Sequence, residues 1–354
     1  VLPIDKTKVN TIGVIGPNAD SRAALIGNYH GTSSEYITVL EGIREEAGDD
    51  VRILYSQGCD LYKDKVENLA WDQDRISEAV ITAENSDVVI LCVGLDETLE
   101  GEEGDTGNSD ASGDKVDLHL PKVQEELIEK VTAVGKPTIV VLMAGSAIDL
   151  NYAQDNCNGI LLAWYPGARG GRAIADLLFG KESPSGKLPI TFYKDLEGMP
   201  EFTDYSMKNR TYRYMEKEAL YPFGYGLTYS DTCVTEAEVV GEVSAESDIV
   251  LKATVKNNGT VDTDEVVQVY IKDLDSLLAV RNYSLCGFKR VSLKAGEEKS
   301  VEFTISNKAM NIVDEDGNRY IAGKHFRLFA GVSQPDTRSA ELTGHKPAEV
   351  EIAL

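Results

Sequence analysis

Residues 87–105 read DVVILCVGLDETLEGEEGD, a short apolar run that opens into a strongly acidic segment. The apolar part has the length and composition of a strand buried on both faces of a parallel sheet. The residues that follow it, 95–105, are called the acidic loop here and carry six carboxylates in eleven residues. Because open α/β sheets bind ligands at the carboxyl ends of their strands, this stretch predicts both a fold class and the place of a site.

Strands alternate with helices through residues 1–192. Helical patterns cover residues 39–47, 71–83 and 170–179, and a further helix starts at Pro121. This alternation is typical of βαβ units and predicts an α/β domain with a mostly parallel sheet covered on both faces. The predicted strands are residues 11–15, 51–55, 87–93, 138–143, 159–164 and 188–192.

A different pattern begins near residue 231. Short segments of alternating apolar and polar residues, separated by Asn-Gly, Ala-Gly and Asp-Gly turns, predict an antiparallel β-sandwich over residues 231–354. Residues 193–230 join the two domains and are rich in tyrosine, so we expect this linker to pack against other residues. The predicted sandwich strands are residues 249–255, 266–271, 301–305 and 326–330.

Composition argues against several classes of protein. The 354 residues carry a net charge of −24, whereas nucleic acids and anionic membranes attract basic patches, so neither is an expected partner. No apolar run approaches the roughly 18 residues of a transmembrane helix. The five cysteines are scattered and include no CxxC pair, which predicts reduced thiols and a cytoplasmic rather than secreted protein.

The first residues, VLPIDKTKVNTIGVIG, read like the middle of a longer protein, and we expect the chain to be a fragment.

The acidic loop has an ordinary explanation and a functional one. Runs of charge are usually solvated turns that add solubility. The position of this run at the carboxyl end of a strand favours a function, and Gly101 and Gly104 would let a ligand approach closely. Crowded carboxylates also raise one another's pKa, which favours a protonated carboxyl near neutral pH. We therefore interpret one of these side chains as a general acid.

Three other kinds of site fit the sequence less well. Residues 108–114 have the oxygen spacing that begins an EF-hand calcium loop, but His119 stands where the bidentate glutamate belongs. Residues 13–18 follow a strand and contain glycines, but they lack the GxGxxG spacing of a dinucleotide site. No GxSxG elbow is present, which argues against a Ser-His-Asp hydrolase. No cofactor and no metal ion are predicted.

A series of short motifs then occurs in a characteristic order and spacing. They are residues 13–19 (GVIGPNA), 25–31 (LIGNYHG), 100–105 (EGEEGD), 118–121 (LHLP) with Gln124, 163–167 (AWYPG), 170–171 (GG), 175–176 (AD), 179–180 (FG), 184–189 (PSGKLP) and 221–227 (YPFGYGL). Together they resemble the C-terminal half of glycoside hydrolase family 3 over nearly the whole chain.

The resemblance implies a barrel domain, then an α/β sandwich, then a fibronectin type III-like β-sandwich, of which this chain corresponds to the second and third. It implies retaining hydrolysis of terminal non-reducing β-linked sugars, with an aspartate nucleophile in the barrel and a glutamate acid/base in the α/β sandwich. The barrel's Ser-Asp-Trp motif is absent from this sequence. The implied partners are therefore the N-terminal barrel domain of the same enzyme and an oligosaccharide or aryl β-glycoside, and the chain by itself is expected to be inactive.

The resemblance also indicates which carboxylate is the acid/base. The family pattern places that glutamate three residues before an aspartate, which is usually followed by arginine. Counting back from Asp105 gives Glu102, but Thr106 occupies the arginine position, so Glu103 and Glu100 stay open as alternatives.

The substrate is less well determined by the sequence. Residues 28–31 and 204–214 look most like the β-xylosidase branch of the family, with β-glucosidase next. The alternative hypothesis is a non-catalytic carbohydrate-binding or scaffolding module, which the β-sandwich and the aromatic linker would also suit.

Overall fold

The computed structural model describes residues 1–63, 71, 73–102 and 115–354. Glu103, Asp105, Thr106 and the calcium-like residues 108–114 therefore lie outside the described residues. Contacts between Cα atoms divide the chain into two compact units, Val1–Glu182 and Ser183–Leu354. No helix of the described residues is both long and apolar enough to cross a membrane.

The first unit contains a five-stranded parallel sheet with helices in its connections. The strand order is β2-β1-β3-β4-β5, so that β3 lies in the middle of the sheet. The strands are β1 (Thr11–Ile15), β2 (Arg52–Ser56), β3 (Val88–Gly94), β4 (Thr138–Met143) and β5 (Gly159–Leu162). The helices are α1 (Ala23–Ile26), α2 (Val39–Ala47), α3 (Asp74–Glu84), α4 (Lys122–Thr132), α5 (Asn151–Asn156) and α6 (Gly170–Leu178).

The core of this unit follows from its apolar runs. Every residue of β1, β3 and β4 is buried, as expected for parallel strands that are covered on both faces. Helix α2 begins with a capping box, in which Thr38 accepts from the Glu41 amide and Glu41 accepts from the Thr38 amide. Helix α2 packs closely on α6, because a Cβ on Gly42 would lie only 2.1 Å from the Gly171 carbonyl oxygen.

The second unit is a β-sandwich with small additional elements. Its two larger sheets have the orders β11-β10-β15-β16 and β12-β9-β8, and apolar side chains from both sheets form one core. The strands are β6 (Phe192–Tyr193), β7 (Ala219–Tyr221), β8 (Thr232–Val240), β9 (Ile249–Asn257), β10 (Thr263–Asp273), β11 (Ser284–Leu293), β12 (Glu298–Ile305), β13 (Asn311–Val313), β14 (Arg319–Ile321), β15 (His325–Gly331) and β16 (Ala348–Ala353). The helices are α7 (Thr211–Tyr214), α8 (Thr337–Thr343) and a 3₁₀ helix at Asn307–Met310.

The predicted fold class, a mostly parallel α/β domain followed by an antiparallel β-sandwich, is confirmed. The predicted sixth strand of the parallel sheet, residues 188–192, is wrong. Pro189 has no amide hydrogen for a sheet, and the Leu188 amide donates instead to the Tyr225 carbonyl. Phe192 begins β6, which pairs antiparallel with β7.

The contact-based division lies after Glu182, nearer the N-terminus than the predicted domain limit at residue 192. Residues just beyond Glu182 bind within the second unit, where the Ser183 and Thr263 hydroxyls are 2.8 Å apart. The tyrosine-rich linker also packs in this unit, with the Tyr212 ring stacked on Phe223 at 4.3 Å between centroids. The predicted limits of the three segments, residues 1–192, 193–230 and 231–354, stay predictions.

Candidate active site

The acidic loop starts at a position held by buried hydrogen bonds. The Gln124 side chain is fully buried and accepts from the Gly94 amide at 2.8 Å while donating to the Gly94 carbonyl at 2.8 Å. The Leu95 amide donates to Met143 of β4, and the Asn18 side chain donates to the Leu95 carbonyl at 3.1 Å. Hydrogen bonds thus connect the end of β3 to β4 and to the residues that follow β1.

The first two carboxylates of the loop are engaged in local structure. Asp96 is buried, and one of its oxygens accepts from both the amide and the hydroxyl of Thr98, which closes a tight turn. Glu97 lies 3.3 Å from Nε2 of His30, a residue of the connection after α1. These two groups shape the loop and join it to the connection that follows β1 and α1.

Glu100 is held by the ends of β4 and β5. Its Oε2 accepts from the Gly145 amide at 2.6 Å and from the Tyr165 hydroxyl at 2.5 Å. Its Oε1 accepts from the Ser146 hydroxyl in a very short contact. Both carboxylate oxygens of Glu100 are therefore used inside the protein.

Tyr165 occupies a space that two glycines leave open. A Cβ on Gly27 would lie 2.6 Å from its ring, and a Cβ on Gly145 would lie 3.0 Å from it. Burial, together with the Glu100 carboxylate, raises the pKa of Tyr165. The Tyr165 hydroxyl therefore stays protonated over the ordinary pH range and donates a hydrogen bond to Glu100.

Glu102 differs from these three carboxylates in being an exposed residue. It follows Glu100 by two positions, so it extends from the part of the loop that is fixed to β4 and β5. Glu103, the alternative acid/base, lies outside the described residues. Of the loop carboxylates that are described, Asp96 is buried, Glu97 and Glu100 are partly buried, and Glu102 is exposed.

Lys115 and His119 lie between the acidic loop and α4. The Lys115 ammonium donates to the Ala147 carbonyl at 2.9 Å, and burial lowers the pKa of Lys115 against the opposing effect of Glu100. His119 Nδ1 is 2.9 Å from Glu125, and this hydrogen bond raises the pKa of His119. Within the described ranges, no group of three or more His, Cys, Asp or Glu side chains could hold a metal ion.

A cavity of about 370 Å³ opens in the second unit, lined by residues from 193–199, 209 and 215–218. Two of its carboxylates are paired with lysines: Lys217 lies 2.8 Å from Glu197, and Lys194 binds Glu218. None of the described residues that line the cavity belongs to the acidic loop, and we assign it no catalytic role.

Comparison with known proteins gives the family. Residues 1–229 match the model of the glycosyl hydrolase family 3 C-terminal domain, and residues 265–334 match that of the fibronectin type III-like domain. The chain belongs to glycoside hydrolase family 3. The resemblance carried by the short motifs is therefore confirmed.

The relatives within family 3 are much longer than this chain. A β-xylosidase of Formosa agariphila is 34% identical over 97% of this chain, which covers 47% of that protein. A periplasmic β-glucosidase of Salmonella typhimurium is 31% identical over 94% of this chain and 46% of its own length. The solved β-glucosidase of Bifidobacterium adolescentis matches with a TM-score of 0.82 and 28% identity, over 100% of this chain and 50% of that one. The chain thus spans about half the length of the family members it matches.

The structure adds residues that the sequence analysis did not single out. Gly145, Ser146 and Tyr165 all bind Glu100, although they follow it by 45 to 65 positions. The available signal was the strand order, because side chains after adjacent parallel strands meet at one edge of a sheet. Of the two alternatives to Glu102, Glu100 has both oxygens engaged, while Glu103 is not described.

Proposed function

We propose that this chain is the acid/base-bearing half of a retaining, exo-acting β-glycosidase and that Glu102 is the acid/base. The observation that carries the proposal is the exposure of Glu102, because an acid/base has to reach the bond that is broken. Glu102 is an exposed residue of the loop that follows the central strand β3, and Glu100, two positions before it, is bound by Gly145 and Tyr165.

The proposed mechanism needs a second carboxylate from outside this chain. In the first step a carboxylate nucleophile attacks the anomeric carbon, the glycosidic C–O bond breaks, and Glu102 donates its proton to the leaving oxygen. In the second step Glu102 removes a proton from water, which attacks the same carbon and releases the nucleophile. The two carboxyl groups have to be about 5–5.5 Å apart. We assign the nucleophile to an aspartate in an N-terminal barrel domain, which the length of the relatives supports.

For the substrate, we propose a terminal non-reducing β-linked sugar, with xylose as the first candidate and glucose as the second. The names of the relatives support this order: a β-xylosidase of Formosa agariphila is 34% identical, and a xylan 1,4-β-xylosidase of Xylanibacter ruminicola is 38% identical over 75% of this chain. The β-glucosidase of Salmonella typhimurium supports glucose as the runner-up.

The experiment that tests this proposal uses the full-length protein that contains this chain. It is incubated with 4-nitrophenyl β-xyloside and β-glucoside, and the anomeric form of the first-released sugar is followed by NMR. We expect the β-anomer to appear first, with a higher kcat/KM for the xyloside, and no hydrolysis by residues 1–354 alone. Release of the α-anomer, or no hydrolysis of either glycoside, would contradict the proposal.

A further inference from the structure

Glu100 receives three hydrogen bonds from two strand ends, more than a solvated loop needs. We propose that Glu100 is a positioning residue that fixes the acidic loop to the segment after β4, and thereby aims Glu102 at the leaving oxygen. The proposal rests on the proposed function, because it gives Glu100 its role through Glu102.

The Glu100 carboxylate accepts hydrogen bonds from three donors on both of its oxygens. Gly145 donates from the backbone at 2.6 Å, while Tyr165 at 2.5 Å and Ser146 donate from side chains. Charge-assisted hydrogen bonds to a carboxylate are about twice as strong as neutral ones. Three of them on one group hold residue 100 in a single place.

The groups that donate hydrogen bonds to Glu100 lie in well-packed parts of the first unit. Gly145 follows the fully buried strand β4, and the Tyr165 ring lies against Gly27, where a Cβ would be only 2.6 Å from it, and against Gly145, where a Cβ would be 3.0 Å from it. The raised pKa of Tyr165 keeps its hydroxyl protonated as a donor. Glu100 thus binds a rigid part of the first unit.

The segment after β4 also binds Lys115, a residue that lies between the acidic loop and α4. Lys115 donates to the Ala147 carbonyl at 2.9 Å, and Glu100 favours the charged form of Lys115. Residues 145–147, which we call the anchor turn, therefore bind a residue on each side of residues 103–114. The anchor turn fixes the acidic loop at Glu100 and the chain before α4 at Lys115.

This arrangement matters because a general acid works only within hydrogen-bond reach of the atom it protonates. A displacement of about 1 Å can cost on the order of 10²-fold in rate. An activated aryl leaving group needs little protonation, whereas the alkoxide of a disaccharide needs it fully. Loss of the anchor should therefore slow disaccharide hydrolysis much more than hydrolysis of a dinitrophenyl glycoside.

The test compares three variants in the full-length enzyme: Glu100→Gln, Tyr165→Phe and, as a control, Glu129→Gln on the exposed face of α4. For Glu100→Gln we expect kcat on the disaccharide to fall by about 10²-fold and kcat on the 2,4-dinitrophenyl glycoside by less than about 5-fold. Tyr165→Phe removes one of the three donors and leaves the loop sequence unchanged. Its kcat on the disaccharide should fall by roughly 5- to 10-fold, and its kcat on the 2,4-dinitrophenyl glycoside should fall less. Glu129→Gln should change neither rate.

Equal losses on both substrates would show a general structural role and overturn the proposal. Full activity of Glu100→Gln would overturn it as well, and if that variant does not fold, Tyr165→Phe decides. Azide rescue of Glu100→Ala would show that Glu100 is itself the acid/base. If Glu102→Gln slows disaccharide hydrolysis much more than hydrolysis of the 2,4-dinitrophenyl glycoside, but neither Glu100→Gln nor Tyr165→Phe does, only the positioning role is rejected. If Glu102→Gln itself slows both substrates equally or neither of them, the proposed function is rejected.

Discussion

At the scale of single residues, Gly94 and Gln124 decide where the candidate site begins. Gln124 is a buried amide that satisfies both backbone groups of Gly94 and also donates to the Leu61 carbonyl at 2.6 Å. Gly94 has a φ of +147°, and a Cβ there would lie 1.9 Å from the Met143 carbonyl oxygen. Only glycine lets β3 leave the sheet this close to β4, directly before the acidic loop.

Replacing Gly94 with alanine should therefore be strongly destabilising. We expect Gly94→Ala to lower the free energy of unfolding by about 4 kcal/mol or more, because backbone atoms of β4 cannot move away cheaply. Gly135→Ala is the matched control, since Gly135 also has a positive φ but a Cβ there meets nothing within 4 Å. Its expected cost is the left-handed strain alone, about 1–2 kcal/mol. Urea denaturation of both variants measures the difference in the free energy of unfolding. Equal losses of stability in the two variants would contradict a steric clash between a Cβ at position 94 and β4.

The sequence alone predicts less at this scale than at the scale of elements. The strand-end position favoured a site in the acidic loop, and only the family pattern around Asp105 indicated Glu102, which stays a prediction. The role of Glu100 was not predictable in the same way, because its donors Ser146 and Tyr165 become neighbours only through the order of β3, β4 and β5. A carboxylate that holds a loop and one that faces solvent look alike in a run of acidic residues.

At the scale of elements, a buried ion pair fixes the first residues of the second unit to the sandwich. Lys187 and Glu265 lie 2.8 Å apart, with side chains only 9% and 2% exposed. Glu265 also accepts from the Thr232 hydroxyl, and Lys187 also donates to the Gly226 carbonyl. This pair links residues 183–188 to β10 and explains why the compact unit starts before the predicted limit at residue 192.

Removing one partner should cost more than removing both. We expect Lys187→Met to destabilise the second unit by about 3–5 kcal/mol, because Glu265 would remain buried without its cation. The double variant Lys187→Met with Glu265→Gln should recover part of that loss. Calorimetric melting of the single and double variants provides the measurement. A double variant less stable than Lys187→Met would argue against a buried, coupled pair.

The stability that His119 contributes next to α4 should depend on pH. The Glu125 hydrogen bond raises the pKa of His119 above its ordinary value of 6.5, and Asp117 and Asp149 act in the same direction. The protonated His119 therefore stabilises the fold fully below the unfolded pKa, and this contribution is lost as pH rises through the folded pKa. His119→Gln should accordingly lose more stability at about pH 5.5 than at about pH 8.5. Urea midpoints at the two pH values check this, and a larger loss at the higher pH would contradict it.

The elements themselves could largely be predicted from the sequence. Mostly apolar runs predicted β1 and β4 to the residue, and alternating segments lie inside β9, β10, β12 and β15. Residues 188–192 looked similar locally, yet the backbone hydrogen bonds of Leu188 go to Gly224 and Tyr225, and Phe192 pairs with Tyr221. That choice depends on contacts distant in sequence, which a local apolar pattern does not contain.

At the scale of the whole molecule, the chain is about half as long as the glycosidases it resembles. The acidic loop of its first unit follows the central strand β3 and carries Glu102, which is an exposed residue. A retaining glycosidase needs two carboxyl groups at once. In our account the reaction is therefore completed only by the other half of the enzyme.

The most direct test of this account is azide rescue of Glu102→Ala in the full-length enzyme. Without its acid/base, the variant should lose on the order of 10²–10⁴-fold in disaccharide hydrolysis while retaining most of its attack on a 2,4-dinitrophenyl glycoside. Azide needs no base to attack the glycosyl–enzyme, so it should restore turnover and yield the β-glycosyl azide. Unchanged disaccharide hydrolysis by Glu102→Ala, or the same rescue seen with Glu103→Ala in its place, would contradict the assignment of Glu102.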